Sequence, residues 1–119
     1  MNQNLIIALL KYFSEKIEQA KKIGINDFIV DPGFGFGKTI EHNYQILNKL
    51  ELFQMLERPL LVGLSRKSMI YKLTDETPQE ALAGTIALNM TALQKGANIL
   101  RVHDVKEAKQ LITVYLKLI

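Results

Sequence analysis

The residues with the most chemical content lie in one short run, Asp31-Pro32-Gly33-Phe34-Gly35-Phe36-Gly37-Lys38-Thr39. A carboxylate stands directly after the apolar stretch Phe28-Ile29-Val30, and alternating glycines follow it. Glycine lets the backbone approach a ligand closely or adopt positive φ angles. The two phenylalanines between the glycines offer flat apolar faces. An acid, bare backbone and aromatic rings together predict a pocket for a flat polar ring.

The carboxylate of Asp31 is suited to one specific kind of ligand contact. A carboxylate can accept two parallel hydrogen bonds from the amino group and ring N–H of a pterin or a guanine. The alternative is a glycine-rich connection in which Asp31 caps a turn. A nucleotide-binding P-loop is disfavoured, although Gly37-Lys38-Thr39 matches the end of its motif. Pro32 stands where that motif needs its first glycine, and Asp31 would set a negative charge beside the phosphates.

Further polar residues follow two later apolar runs. Lys67 and Ser68 come after Leu60–Leu64, while Arg101 and His103 lie at the end of a third run. Two cations facing an acid favour the binding of an anionic ligand. An Arg-x-His pair on one face of a strand suits pyrophosphate, because both side chains can donate to its oxygens. The alternatives for the residues taken singly are solvated side chains for Lys67 and Arg101, a helix cap for Ser68 and a structural role for His103.

The periodicity of apolar residues predicts the elements that position these side chains. The predicted order is helix Leu5–Ile23, strand Asp27–Asp31, helix Ile40–Leu56 capped by Thr39, strand Leu60–Leu64, helix Pro78–Lys95, strand Asn98–Val102 and a last helix capped by Asp104. Such alternation indicates an α/β fold with a parallel sheet and helical crossovers. Because the carboxyl ends of parallel strands share one edge, the polar residues above are expected to converge there.

The composition narrows the class of protein. The chain has 119 residues, 48% hydrophobic and 23% charged, which is typical of a globular domain. A net charge of +3 without a block of Lys or Arg fits small anionic ligands and gives little support to nucleic acid. The absence of cysteine, of a long apolar run and of a signal-peptide pattern predicts a cytoplasmic location without a membrane span. Neither a metal-binding His pair nor a catalytic triad is evident, so no catalytic residue is assigned.

Three blocks of sequence resemble the dihydropteroate synthase family in order and spacing. They are Asp31-Pro-Gly-Phe-Gly-Phe-Gly-Lys38, Val62-Gly-Leu-Ser-Arg-Lys-Ser-Met-Ile70 and Ile99-Leu-Arg-Val-His-Asp-Val105. The resemblance implies a (β/α)8 TIM barrel that joins 6-hydroxymethyl-7,8-dihydropterin pyrophosphate to para-aminobenzoate in folate biosynthesis, with sulfonamides competing for the aminobenzoate site. It also implies roles for individual residues. Asp31 and Lys67 would bind the pterin, Phe36 and Ser68 the aminobenzoate, and Arg101 and His103 the pyrophosphate.

The resemblance covers the C-terminal portion of such a barrel. Residues 1–119 are therefore expected to form a single partial domain, an incomplete barrel of three parallel strands and about four main helices. The magnesium that the family implies would have its ligand outside this chain. The free sheet edges would need a missing N-terminal half or a homo-oligomer to cover them. The alternative functions are a pterin-binding methyltransferase with the same barrel and a noncatalytic structural fragment.

Overall fold

The computed structural model describes residues 3–35 and 37–119. Its α-helices are α1 (Gln3–Lys22), α2 (Ile40–Asn48), α3 (Ser68–Tyr71), α4 (Leu82–Gln94) and α5 (Val105–Lys117), and its strands are β1 (Leu61–Gly63) and β2 (Ile99–Arg101). Two 3₁₀ helices, Leu50–Leu56 and Pro78–Glu80, come before β1 and α4 respectively. This part of the chain is thus a mixed α/β fold with a small parallel sheet.

The sheet has the parallel topology that the sequence predicts. In the register of β1 and β2, Leu61 lies opposite Ile99 and Gly63 lies opposite Arg101. Val30 forms one further parallel bridge, to Leu60. The N–H of Leu61 donates to the carbonyl of Val30 at 2.8 Å, while the carbonyl of Leu60 accepts from Ile99 at 3.1 Å. These two groups belong to one peptide unit and point in opposite directions, so Val30 and β2 flank β1 on opposite sides.

The predicted first strand, Asp27–Asp31, is wrong in its extent, because the single bridge at Val30 is all that the structure assigns to it. Prolines explain the short pairing. In a parallel ladder, the rungs next to this bridge would use the N–H groups of residues 59 and 32. Pro59 and Pro32 have no N–H to donate, so neither rung can form. Two strands and one bridge therefore replace the three strands expected.

The predicted helix Ile40–Leu56 is divided in two at Lys49, between α2 and the 3₁₀ helix Leu50–Leu56. The spacing of apolar residues accounts for the change. Leu50 and Phe53 are buried and Leu56 is partly buried, at intervals of three residues. A 3₁₀ helix has three residues per turn, so it brings all three onto one face, whereas an α-helix would spread them. The predicted cap of α2 is confirmed, since Thr39 accepts from the N–H of His42 at 3.0 Å.

α4 begins later than the sequence predicts, because Pro78–Glu80 forms a 3₁₀ turn. Its end is confirmed at Gly96, which has a φ of +108°. The buried residues of α4 form one stripe, Thr85, Asn89, Ala92 and Leu93. Ala83 and Ala87 are exposed, so this helix packs within the chain along one side.

The hydrophobic core connects α1, α2, the 3₁₀ helix Leu50–Leu56 and the sheet. Ile6 is buried and Phe13 is partly buried on the inner face of α1. The rings of Phe13 and Phe53 meet edge to face, with centroids 6.1 Å apart. This core holds the sheet and the segments that leave its carboxyl edge in a fixed arrangement.

Within residues 3–35 and 37–119, no helix is long and apolar enough to cross a membrane.

Candidate functional site

The three parallel segments end at the same edge of the sheet, and each continues into polar residues. Asp31 follows the bridge at Val30, the turn Ser65–Lys67 follows β1, and Arg101 closes β2. Contacts link these segments although they lie far apart in the sequence. Arg101 Nη1 lies 3.5 Å from Asp31 Oδ2 across 70 residues, and Lys67 Nζ donates to the carbonyl of Phe34 at 2.5 Å across 33 residues. The expected convergence of Asp31, Lys67 and Arg101 is confirmed.

Asp31 has hydrogen-bonding partners within the protein, but they do not use the full acceptor capacity of its carboxylate. Its Oδ1 accepts from the N–H of Gly33 at 2.9 Å, and its Oδ2 faces Arg101. The side chains of Asp31 and Arg101 are 35% and 56% exposed, so solvent weakens this long ion pair. Each carboxylate oxygen can accept more than one hydrogen bond. Asp31 can therefore still receive two donors from a ligand.

The glycine loop comprises residues 33–37, and its described residues 33–35 are fixed from two directions. Lys38 Nζ donates to the carbonyl of Gly33 at 2.8 Å. Asn43, in α2 and 1% exposed, accepts from the N–H of Gly35 at 2.9 Å and donates to the carbonyl of Thr39 at 3.0 Å. Gly35 has a φ of +97°, which a residue with a side chain adopts only with strain. Sequence reasoning missed Asn43, because the local sequence does not show that the first turn of α2 packs against the glycine loop.

Of the two phenylalanines of this loop, Phe34 lies among the residues that the structure describes. Phe34 is 1% exposed and belongs to the hydrophobic core, so the expectation that it offers a face to a ligand is wrong. Its carbonyl, in contrast, accepts from Lys67. Phe36 lies outside the residues that the structure describes, and its predicted contact with aminobenzoate stays a prediction.

Lys67 supplies a positive charge in a partly desolvated position. Burial lowers the pKa of its ammonium group, the neighbouring Arg101 cation lowers it further, and Asp31 acts in the opposite direction. Lys38 is a third cation close enough to act on this pKa. Around Asp31 there are thus three cations, Lys67, Arg101 and Lys38, an arrangement that favours a ligand bearing negative charge.

Ser68 begins α3 and lines a cavity of about 290 Å³. The other lining residues are Phe34, Gly35, Arg66, Lys67, Tyr71 and Pro78. The cavity is large enough for a small aromatic acid, although it lies at the low end of the range for ligand sites. Ser68 and Lys67 therefore border the same space, next to the glycine loop.

Arg101 lies over the neighbouring strand. A Cβ added to Gly63 would come within 2.7 Å of Arg101 Nη2, so the guanidinium occupies the space that a side chain on β1 would fill. His103 lies in a bend beyond β2, which ends at Arg101. The argument that Arg101 and His103 share one face of a strand therefore does not apply. The N–H of His103 donates to the buried Ser65 Oγ at 3.2 Å, which fixes its backbone close to the turn after β1.

Arg66 and Asp104 are two residues whose roles sequence reasoning missed. Arg66 Nε and Nη2 donate to the two carboxylate oxygens of Asp104 at 2.9 and 3.0 Å. This hydrogen-bonded pair holds the pKa of Asp104 below its usual value. Asp104 stands at the N-cap position of α5, but its side chain makes no capping hydrogen bond there, so the predicted capping role is wrong. The sequence did contain a signal for this ion pair, because Arg66-Lys67 follows one predicted strand and Asp104 follows the next.

The described residues contain no group of three or more His, Cys, Asp or Glu side chains that could hold a metal ion. At this edge Asp31 is surrounded by cations and Asp104 is paired with Arg66, which makes a poor donor set for a divalent metal. The residues present therefore do not fit a magnesium site of their own.

A parallel α/β fold with an acid, several cations and a small cavity at the carboxyl edge defines a binding protein for a small polar ligand. A family model described as pterin binding enzyme matches residues 1–103. The chain belongs to this pterin-binding family.

Two curated relatives have similar sequences. The bifunctional dihydropteroate synthase/dihydropteroate reductase of Helicobacter pylori is 45% identical over 112 residues, which are 94% of this chain and 30% of that protein. The dihydropteroate synthase of Escherichia coli strain K12 is 46% identical over 106 residues, 87% of this chain and 38% of that protein. The chain thus spans about a third of the length of these relatives.

Solved structures of dihydropteroate synthases have the same fold over nearly all of this chain. The Yersinia pestis enzyme with a sulfonamide drug has a TM-score of 0.93 at 40% identity, covering 98% of this chain and 43% of that one. The Thermus thermophilus enzyme is 34% identical in two complexes. For the complex with 4-aminobenzoate the TM-score is 0.92, and the match covers 100% of this chain and 47% of that one. For the complex with 6HMPPP the TM-score is 0.91, and the match covers 99% of this chain and 47% of that one.

Proposed function

We propose that this chain contributes substrate contacts to a dihydropteroate synthase, a transferase of folate biosynthesis. The reaction joins 6-hydroxymethyl-7,8-dihydropterin pyrophosphate to para-aminobenzoate and gives dihydropteroate and pyrophosphate. One observation carries the proposal: Asp31, Lys67 and Arg101 lie together at the carboxyl edge of the sheet, joined directly or through the glycine loop. The Thermus thermophilus relatives in complex with 4-aminobenzoate and 6HMPPP support the choice of substrates.

The small parallel sheet fits a segment of a (β/α)8 barrel, in which residues 1–119 form a single partial domain. The TM-scores of 0.91 to 0.93 against much longer dihydropteroate synthases support this assignment. In the described part of the chain, Val30 and β2 each have one neighbour in the sheet. An N-terminal half or a second copy of the chain would supply the other neighbours.

Each substrate group has a matching residue. The carboxylate of Asp31 would accept from the amino group and ring N–H of the pterin, and Lys67 would donate to the same ring. Ser68 would bind the carboxylate of para-aminobenzoate in the cavity, with Phe36 beside the aromatic ring. Arg101 and His103 would bind the pyrophosphate. Lys67, Arg101 and Lys38 keep the local charge positive around Asp31, which favours an anionic leaving group.

These residues would act by binding and by electrostatic stabilisation, so none of them is assigned proton transfer. The bond between the methylene carbon of the pterin and the pyrophosphate oxygen breaks first, and pyrophosphate leaves with the electron pair. The nitrogen of the arylamine then attacks the pterin cation and loses one proton. Positive charges placed in advance beside the departing oxygens lower the barrier to the first step. Because the residues present do not fit magnesium, no step is assigned to the metal.

The first prediction concerns Asp31. Changing Asp31→Asn removes one acceptor of the carboxylate pair, so binding of a pterin analogue is expected to weaken by more than about tenfold. Isothermal titration calorimetry would measure the dissociation constant. Asp27→Asn is the matched control, because Asp27 is an exposed acid on the same segment. Equal affinity in the wild type and Asp31→Asn would contradict the role of Asp31, and wild-type protein that binds no pterin would contradict the proposed function.

A further inference from the structure

Arg66 joins three parts of the fold through its guanidinium and its backbone N–H. Besides its two hydrogen bonds to Asp104, its Nη1 donates to the carbonyls of Pro78 and Gln79 at 2.8 and 2.9 Å. Its backbone N–H donates to Thr85 Oγ1 in α4 at 2.9 Å. One residue of the turn after β1 thus holds the 3₁₀ turn Pro78–Glu80, the beginning of α5 and the first part of α4.

The number of hydrogen-bond donors already in use distinguishes Arg66 from the other cations of the site. A guanidinium has five N–H groups, and four of those of Arg66 have protein acceptors. The Asp104 carboxylate opposes its charge in a bidentate pair, the strongest geometry for such an interaction. Little hydrogen-bonding capacity remains for a substrate anion, although Arg66 borders the cavity.

The backbone of Arg66 is also strained. Its φ is +51°, in the left-handed region that residues with side chains seldom adopt. Such a conformation persists where the surrounding contacts fix it. The hydrogen bond to Thr85 does so here, since Thr85 is 3% exposed and is itself anchored to the carbonyl of Ala81 at 2.7 Å.

We propose that Arg66 is a positioning residue that fixes the 3₁₀ turn Pro78–Glu80, whose Pro78 forms one wall of the cavity. Pro78 borders the cavity together with Ser68, so release of this wall would alter the space next to Ser68. The identity of the ligand in this inference rests on the proposed function, whereas the positioning of the wall does not. The wall should therefore shape the aminobenzoate half of the site and leave the pyrophosphate half unaffected.

Hydrogen–deuterium exchange of the full chain tests the positioning directly. The N–H groups of Glu80 and Ala81 close the turn by donating to the carbonyls of Thr77 and Pro78. Arg66→Met removes both bonds from Nη1, so these amides are expected to exchange about tenfold faster. Arg66→Lys keeps a positive charge for Asp104 but lacks the planar fork, and it should give an intermediate rate.

The control is Lys95→Met, which also removes a cation from one carbonyl and one carboxylate, those of Asn48 and Glu51. It should leave the exchange of Glu80 and Ala81 unchanged. Wild-type exchange of these amides in Arg66→Met would overturn the proposal. So would an equal acceleration of the amides of β1 and β2, because that result would indicate general destabilisation of the fold.

Ligand binding distinguishes the proposed positioning role from a merely structural role of Arg66. In Arg66→Met, the dissociation constant for 4-aminobenzoate should rise about tenfold, while that for inorganic pyrophosphate stays within about twofold of wild type. Equal losses for both ligands would overturn the positioning role. If wild-type protein binds neither ligand, the proposed function fails, and the exchange rates alone still decide whether Arg66 positions the wall.

Discussion

Gly63 determines where the Arg101 guanidinium can lie. These residues are opposite one another in β1 and β2, and the guanidinium crosses above Gly63. A methyl group at this position would lie 2.7 Å from Arg101 Nη2, closer than atoms in contact can approach. A side chain at this position would therefore displace the flexible end of Arg101, so the glycine matters here for space and not for an unusual φ angle.

We expect Gly63→Ala to displace Arg101 and to weaken pyrophosphate binding about fivefold, the value of one exposed charge interaction. Titration calorimetry with inorganic pyrophosphate would measure the change. The effect should disappear in an Arg101→Met background, because the displaced group is then already missing. A further loss of affinity in Gly63→Ala/Arg101→Met would mean that the glycine acts through some other part of the site.

At the scale of elements, the sequence predicts the arrangement of the sheet better than its extent. Alternating apolar runs and turn residues indicate parallel strands whose polar ends meet, and the contacts of Asp31 and Lys67 confirm this convergence. The short pairing at Val30 was only partly predictable, although Pro32 and Pro59 remove the adjacent rungs. The prolines were visible, but their register with Val30 depends on how the segments pair.

Other features depend on contacts that periodicity does not encode. Arg66 and Asp104 are 38 residues apart, and their pairing requires the turn after β1 to meet the beginning of α5. Phe34 alternates with glycines, as a residue that faces a ligand could, yet its side chain is buried in the core. Asn43 became recognisable only when α2 was placed against the glycine loop. In each case tertiary packing decides between roles that are locally equivalent.

Pro59 gives a direct test of how the edge strand is limited. Pro59→Ala restores an N–H that can donate to the carbonyl of Phe28, so the amide of residue 59 should exchange slowly with solvent. One added hydrogen bond, worth about 1 kcal/mol, should roughly offset the greater entropy of the unfolded chain without proline. Hydrogen exchange measured by NMR would detect the protection, with the amide of Leu61 as an internal reference. Exchange as fast as that of an exposed turn would contradict the proline explanation.

At the scale of the whole molecule, one ion pair couples global stability to pH. Hydrogen bonding to Arg66 lowers the pKa of Asp104 in the folded protein. The unfolded chain therefore binds a proton on this carboxylate at a higher pH than the folded chain does. The stabilisation is fully present above the unfolded pKa and is lost as pH falls through the folded pKa.

Asp104→Asn should therefore flatten the acid side of the stability profile. The free energy of unfolding, measured in urea between about pH 7 and about pH 3, should fall less steeply with acid than in wild type. Asp75→Asn, at an exposed turn position, is the control and should keep the wild-type slope. Identical slopes for wild type and Asp104→Asn would show that the ion pair does not contribute to acid unfolding.

The separation of the site residues along the chain has a consequence for folding. Asp31 meets Arg101 across 70 residues, and β1 pairs with β2 only after a long crossover. Contacts between distant residues close slowly because much chain entropy is lost before they form, whereas helices such as α1 need only local contacts. During synthesis, the glycine loop leaves the ribosome well before Lys67, which binds it, and before Arg101, the partner of Asp31. We therefore expect the ligand site to be among the last parts of the molecule to mature.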